Sequence, residues 1–412
     1  MIEPVAVWTS EGADVRVGTL YPHRGRGTES ATFSYETVYL ARPDAYGIDP
    51  QLPLDASPHH TPVAHALFGA VADSAPDRWG RTLLLRRETR AAREEGRPPR
   101  SLSELDYLLG VRDDLRQGAL RYADEAGTFL ASEPDGVPIL TDLPSLLDLA
   151  DRAERDTATL PDLQRMVHAG GSLGGARPKA HVVARDGTLA LAKFPSGERD
   201  TWDVMAWEFV TLKLAEAAGI TVPPAELLTL AERRVLVVNR FDRHYRSGVS
   251  SRVGYASAMT MLEAADGNEA SYLDIAVVIE ERSDRATEDL KELWRRMLFS
   301  VLVGNTDDHL RNHGFLHVPG RDAWRLSPAF DINPDPTPGP MHHATSIDGT
   351  DEPATVAAVQ AVARDFRLSS GEAKDITATV VNAVARWAAR ARSVGISQQA
   401  IEAMAPAFNR NE

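Results

Sequence analysis

The stretch TEDLKELWRRMLFSVLVGN, residues 287–305, constrains the chain more than any other. Leu290, Leu293, Trp294, Met297, Leu298, Val301 and Leu302 recur at three- and four-residue spacing. A helix here must turn one broad apolar face towards a core. Gly304 ends it, and the segment GNTDDHLRNHGF then gathers two Asp, two His, one Arg and two Asn before an apolar strand resumes. A helix end this rich in ionisable groups is either a solvated turn or a site.

The remainder of the chain bounds the choice. Its 412 residues suffice for two or three units with sizeable cores. No segment approaches eighteen apolar residues, so no membrane span is expected. The first residues, MIEPVAVWTSEG, lack the basic end and apolar run of a secretory signal. There is no cysteine, which excludes disulfides, Cys-ligated zinc and thiol catalysis and fits a cytoplasmic protein. A net charge of −14 argues against direct nucleic-acid binding, although a partner could supply it.

Residues 5–40 read as alternating short strands, and 62–87 as helix with Ser74 and Pro76 as start signals. RAAREEGRPPR, 90–100, reads as an exposed loop, with helix resuming near 103. Residues 123–140 read as a polar linker. AGGSLGGARPKAHVVARDGTLALAKF reads as a Gly-rich loop leading into a hairpin with an Asp186–Gly187 turn. A helix follows, with Thr201 as N-cap and Gly219 as stop, then a buried strand, 233–243, ending in charge. Residues 353–412 read as three Ala-rich helices.

Four features carry chemistry. Asp307 and Asn312 share the D-x-x-x-x-N spacing of kinase catalytic loops, where the Asp accepts a hydroxyl proton and the Asn holds magnesium. The bland reading is a polar helix cap. Asp331, in PAFDINP, ends a second hairpin, so hard oxygen ligands could come from two backbone segments. An Asx turn before Asn333-Pro334 is its alternative. Gly170, Gly171, Gly174 and Gly175 surround Ser172, with Lys179 just beyond. Such a loop lets backbone N–H groups approach phosphates, or is simply a flexible surface loop. Lys193 shares a strand face with Leu189 and Leu191, where phosphates or Glu208 on the next helix would satisfy it. Snorkelling from a sheet edge would also do so. Asp308 reads as solvated. In this order the elements describe one ATP site.

These residues resemble the HipA family of serine/threonine kinases, toxins of bacterial toxin–antitoxin pairs. The carrying segments are GGSLGGARPKA, LAKFPS, NRFDR, GNTDDHLRNHGF and SPAFDINP, with LFGAVADSAPDRWGRTLLLRR resembling the family's N-terminal domain. The resemblance implies an α+β, two-lobed, protein-kinase-like fold with a mixed β N-lobe and an all-helical C-lobe. The expected divisions are 1–125, 140–243 and 244–412. It implies Asp307 as the catalytic Asp, Asn312 and Asp331 on Mg2+, Lys193 on the ATP phosphates, and NRFDR as the hinge with Phe241 near the base. The family often has Glu where this chain has Asn239. Ser172 matches a serine whose autophosphorylation silences the kinase. Family targets include aminoacyl-tRNA synthetases, and the usual partner is a small HipB-type helix-turn-helix antitoxin that binds operator DNA. Two other classes stay open. One is a metal-dependent phosphohydrolase using Asp307, Asp308, His309, His313, His342 and His343. The other is a catalytically silent co-repressor scaffold.

Overall fold

Strand-forming runs open the chain, and they close into an antiparallel sheet. The computed structural model describes residues 3–25, 27–132, 136–170, 175–246, 249–265, 267, 270–339 and 341–409. The strands are β1 (Val5–Thr9), β2 (Val15–Arg24), β3 (Glu29–Tyr35), β4 (His59–His60) and β5 (Leu120–Ala123), in the order β4-β3-β2-β1-β5. A bulge between Val7 and Trp8 shifts the β1–β2 register. Val5, Val7, Val17, Leu20 and Phe33 are buried.

The chain divides into two compact units, each assembled from several segments. The first comprises Met1–Arg199, Asn239–Ala256 and Leu316–Asp322; the second comprises Asp200–Val238, Ser257–Phe315 and Ala323–Glu412. In the first, the helix Arg78–Glu94 packs on Leu160–Ala169. Its N-cap is Asp77, whose carboxylate accepts the Gly80 N–H, while Ser74 instead donates to the Val71 carbonyl. The helix runs on to Glu94, into residues expected to form a loop. Ala92 is buried on it, and Glu88 holds Arg97 at 2.5 Å, which draws the following turn back along the helix. The hairpin β6 (Lys179–Val183) and β7 (Leu189–Lys193) forms as expected, with Gly187 at φ +82° in its turn.

In the second unit the helix Val204–Ala217 starts from Asp203, not Thr201, because the Asp203 carboxylate reaches the Ala206 N–H at 3.0 Å. Trp207 on this helix meets Trp387 and Phe408, which stack on each other at 4.5 Å, so the C-terminal helices are held against it by aromatic faces. The hairpin β8 (Ala225–Leu230) and β9 (Arg233–Asn239) follows. The long helix spans Ala286–Val303, and every large apolar residue that defined its face is buried. The tail holds four α-helices, Val356–Ala361, Ser370–Val384, Trp387–Ser393 and Gln398–Phe408, rather than three. Residues 244–412 are not all helical: strands lie at Tyr255–Ser257, Gly314–His317 and Trp324–Leu326.

Candidate active site

The long helix stops where its backbone turns left-handed. Gly304 does this at φ +68°, and a Cβ there would lie 2.8 Å from the Ala407 carbonyl oxygen, so glycine is required. The next residues are held at nearly every step. The Asn305 N–H donates to the Ser300 carbonyl at 3.0 Å. Its side-chain oxygen accepts the Asn333 N–H at 3.2 Å. Thr306 Oγ1 donates to Asp335 Oδ2 at 3.1 Å. The Asp335 N–H donates to the Gly304 carbonyl at 2.9 Å. The loop after the helix and the segment 331–335 therefore form one hydrogen-bonded frame.

Within it, Asn312 Nδ2 donates to the Asp307 carbonyl at 3.0 Å, and the His309 N–H donates to the same oxygen at 3.0 Å. The five-residue spacing thus brings Asp307 and Asn312 together across a tight turn. Asp331 sits at φ +58°, an uncommon conformation for a residue with a Cβ, and its carboxylate accepts Asn333 Nδ2 at 3.2 Å. A small cavity of about 20 Å³, room for roughly one water, is lined by Ser300, Asp308, Asn312, His313, Phe330 and Ile332, among others.

Asp308 is not solvated. It is 4% exposed, accepts hydrogen bonds from Tyr272 Oη and from Ser300 Oγ (3.0 Å), and faces His313 Nε2 at 3.1 Å. Sequence alternation offers no clue to this, because Tyr272 lies 36 positions away. Burial pushes its carboxyl up, but the charge and contact of His313, then His343 and Tyr272, hold it well below the usual carboxylate range.

Gly171, Ser172 and Gly174 fall outside the described residues. Gly175, at φ +106°, accepts the Trp79 N–H through its carbonyl at 3.4 Å. Lys179 is buried and pairs with Asp77 Oδ2 at 2.5 Å, so its charge already has a carboxylate partner. Lys193 is half-buried and stands directly opposite Lys179 across the β6–β7 hairpin. Two facing cations repel, and the Asp77 carboxylate offsets part of that repulsion. Glu208 is buried on the helix Val204–Ala217. Phe241 is half-buried, its ring 6.4 Å from that of Tyr255. Asn239 Nδ2 donates to Thr188 Oγ1 at 3.1 Å.

The flanking charges of NRFDR have a structural task that the sequence did not disclose. Asp242 accepts from Arg240 at 2.5 Å, from Arg243 at 2.8 Å and from the Gly118 N–H at 2.7 Å. Arg240 also reaches the carbonyls of Leu115 and Arg116 and His181 Nε2 at 3.1 Å. This network ties residues 115–118 to residues 240–243. It also fixes a pH dependence. Burial, then the Arg240 charge, holds His181 well below its ordinary value, and burial lowers His343 too. The unfolded rings take up protons near pH 6.5, and the folded ones resist. Stability is fully present above that pH and falls below it, each ring costing up to about 1.4 kcal/mol per pH unit. Urea midpoints at pH 7.5 and 5.5 should show the drop, and His181→Gln should flatten it. Equal slopes in both proteins would refute the assignment.

Among the described residues no group of three or more His, Cys, Asp or Glu could hold a metal ion. Magnesium does not need such a cage, since one or two carboxylates plus phosphate oxygens suffice. The donor set of Asp331 and Asn312 fits that demand. A transition-metal phosphohydrolase fits less well, because Asp308 and His313 are turned on each other.

The family model described as the HipA-like C-terminal domain matches residues 171–388, more than half of the chain. The chain belongs to the HipA-like family. Curated relatives include a Haemophilus influenzae protein named "Putative kinase", 26% identical over 40% of this chain and 52% of its own length. A Sinorhizobium fredii protein, "Putative kinase Y4mE", is 27% identical over 39% of this chain and 41% of its own. The chain's matches thus span about half or less of these relatives. Among solved structures, that of the Shewanella oneidensis HipA–HipB–operator DNA complex aligns with a TM-score of 0.70 at 15% identity, covering 98% of this chain and 96% of the other. The fold is therefore the mixed α/β fold of HipA. No helix among the described residues is long and apolar enough to cross a membrane.

Proposed function

We propose that this HipA-like protein is an ATP- and Mg2+-dependent kinase that phosphorylates a Ser or Thr hydroxyl on a protein. What supports the reading is the hydrogen-bonded frame of residues 304–312 and 331–335, on whose two segments Asp307, Asn312 and Asp331 lie. Asp307 orients the acceptor hydroxyl and takes its proton. Asn312 and Asp331 would hold magnesium, which neutralises charge developing on the transferred phosphoryl group. Lys193 meets phosphate oxygens, with backbone N–H groups of the loop at Gly171, Ser172, Gly174 and Gly175 as further donors. The family's nucleotide contact at Phe241 and the division into segments 1–125, 140–243 and 244–412 belong to the same reading. Lys179 is a further nucleotide contact in this reading, with Asp77 as its carboxylate partner. Most of the catalysis is positioning and electrostatics. A HipB-type antitoxin is the proposed partner, an aminoacyl-tRNA synthetase a candidate target, and the cytoplasm the proposed location.

Incubation with γ-labelled ATP, magnesium and a bacterial lysate tests the reading. Label should enter a discrete protein on Ser or Thr; free phosphate release with no labelled protein would reject it. The same incubation tests autoinhibition. A phosphate on Ser172 adds about −1.5 to −2 charge at pH 7 and repels ATP's own phosphates. Mass spectrometry should find Ser172 modified as activity declines. Fully active protein stoichiometrically phosphorylated there would remove autoinhibition and leave the kinase standing.

A further inference from the structure

We infer that Asp308 and Tyr272 are positioning residues for phosphotransfer, acting through the backbone that carries Asp307 and Asn312; the inference rests on the kinase reading above. Asp308 is the next residue after Asp307, yet its side chain runs inward instead of towards solvent. One carboxylate oxygen is shared by Tyr272 Oη and Ser300 Oγ, and the other faces His313 Nε2. These partners come from three places: the helix Tyr272–Arg282, the last turn of Ala286–Val303, and the residue after Asn312. The His313 ring also lies edge-on to Tyr272 at 5.3 Å.

The main chain is gripped at the same points. The Thr345 N–H donates to the Asp308 carbonyl at 3.1 Å, and the Ala344 N–H to the Thr306 carbonyl at 3.1 Å. The His313 carbonyl accepts the Ala258 N–H at 2.7 Å. The Tyr272 N–H donates to the Ser346 carbonyl at 2.9 Å, which closes the ring of contacts. Residues 306–313 are thus clamped at both ends, with the Asp308 carboxylate as the shared acceptor in the middle. Asp307 and Asn312 stand on either side of this anchor and meet through the Asn312 amide.

A buried carboxylate costs free energy unless every lone pair finds a donor. Using a charged group with donors from two helices makes the geometry stiff, which phosphotransfer needs, because a misplacement of about 1 Å can cost about 100-fold in rate. Both side chains are buried within the protein, so the effect should fall on turnover and not on nucleotide binding.

The test compares wild type, Tyr272→Phe, Asp308→Asn and the double variant, using transfer from γ-labelled ATP to the lysate acceptor and MgATP affinity from a fluorescent ATP analogue. Both single variants should lower kcat about 10- to 100-fold, with KM for MgATP and analogue affinity held within about twofold of wild type on the same ground. The double variant should be no slower than the worse single one, since both break one anchor. Should Asp308→Asn fail to fold by circular dichroism, Tyr272→Phe, which removes one hydroxyl, carries the test. Folded variants with wild-type kcat would overturn the proposal and leave the anchor purely structural. An equal loss in MgATP affinity would overturn it too, by making the pair part of the nucleotide site. If wild type itself transfers no phosphate, the kinase reading fails and the proposal with it, a result visible without any variant.

Discussion

Asp307→Asn is expected to slow phosphotransfer about 10²- to 10⁴-fold, the range lost with a positioned general base, while MgATP binding and fold survive. The bond that Asn312 makes is to the Asp307 backbone carbonyl, not to its carboxylate, so the substitution leaves the turn closed. The amide is nearly the same size and shape as the carboxylate. What it lacks is the acceptor for the hydroxyl proton and the negative charge that orients that hydroxyl. Single-turnover transfer measured alongside analogue binding separates the two effects. Transfer at the wild-type rate would show that Asp307 is not the base. Loss of MgATP affinity in step with rate would move Asp307 into the metal shell. Asp308 cannot serve as a solvent-exposed control, since its carboxylate is buried among Tyr272, Ser300 and His313.

Much of this frame was legible in the sequence because short-range rules govern it. The apolar period of residues 290–302 predicted the long helix, and Gly304 its end. The Asp186–Gly187 turn predicted the β6–β7 hairpin. The D-x-x-x-x-N spacing singled out Asp307 and Asn312, and the turn between them brings the Asn312 amide onto the Asp307 carbonyl. What stayed hidden depends on partners far along the chain. Asp308 reads as one more exposed charge until Tyr272 is folded against it. Lys179 gives no local sign that Asp77, 102 positions earlier, pairs with its ammonium group. Arg240, Asp242 and Arg243 read as a polar strand end, whereas they hold the backbone of residues 115–118. Asn305 carried a usable signal, since an amide just after a helix-ending glycine is placed to bond a neighbouring loop, and here it receives the Asn333 N–H. Charged residues are the hardest to read, because their burial is decided by a counter-charge that local pattern does not contain.

Asp331 offers the sharpest separation of a ligand from a turn residue. Its backbone is left-handed, at φ +58°, and the segment around it is pinned. The Ala329 N–H donates to the Thr221 carbonyl at 2.8 Å, Thr211 Oγ1 donates to the Ile332 carbonyl at 2.6 Å, and the Asn333 N–H is held by Asn305. A side chain with a Cβ pays about 1–2 kcal/mol to sit there, a cost that Asp and Asn meet best among non-glycine residues. Three substitutions therefore diverge. Asp331→Asn keeps the turn and loses the charge. If Asp331 is a magnesium ligand, Mg2+-dependent ATP affinity should fall by at least about 10- to 100-fold, the loss seen when even outer groups of a metal site are removed, with no change in melting. If it is only an Asx-turn residue, Asp331→Asn should bind MgATP like wild type, and that outcome would sink the ligand assignment. Asp331→Gly should lose the same affinity without backbone strain, and so be more stable than Asp331→Ala by about 1 kcal/mol. Isothermal titration with ATP, with and without magnesium, and a urea melt of each variant measure the two effects independently. A ligand role predicts that affinity tracks charge while stability tracks the left-handed backbone, and a turn role predicts that both track the backbone alone.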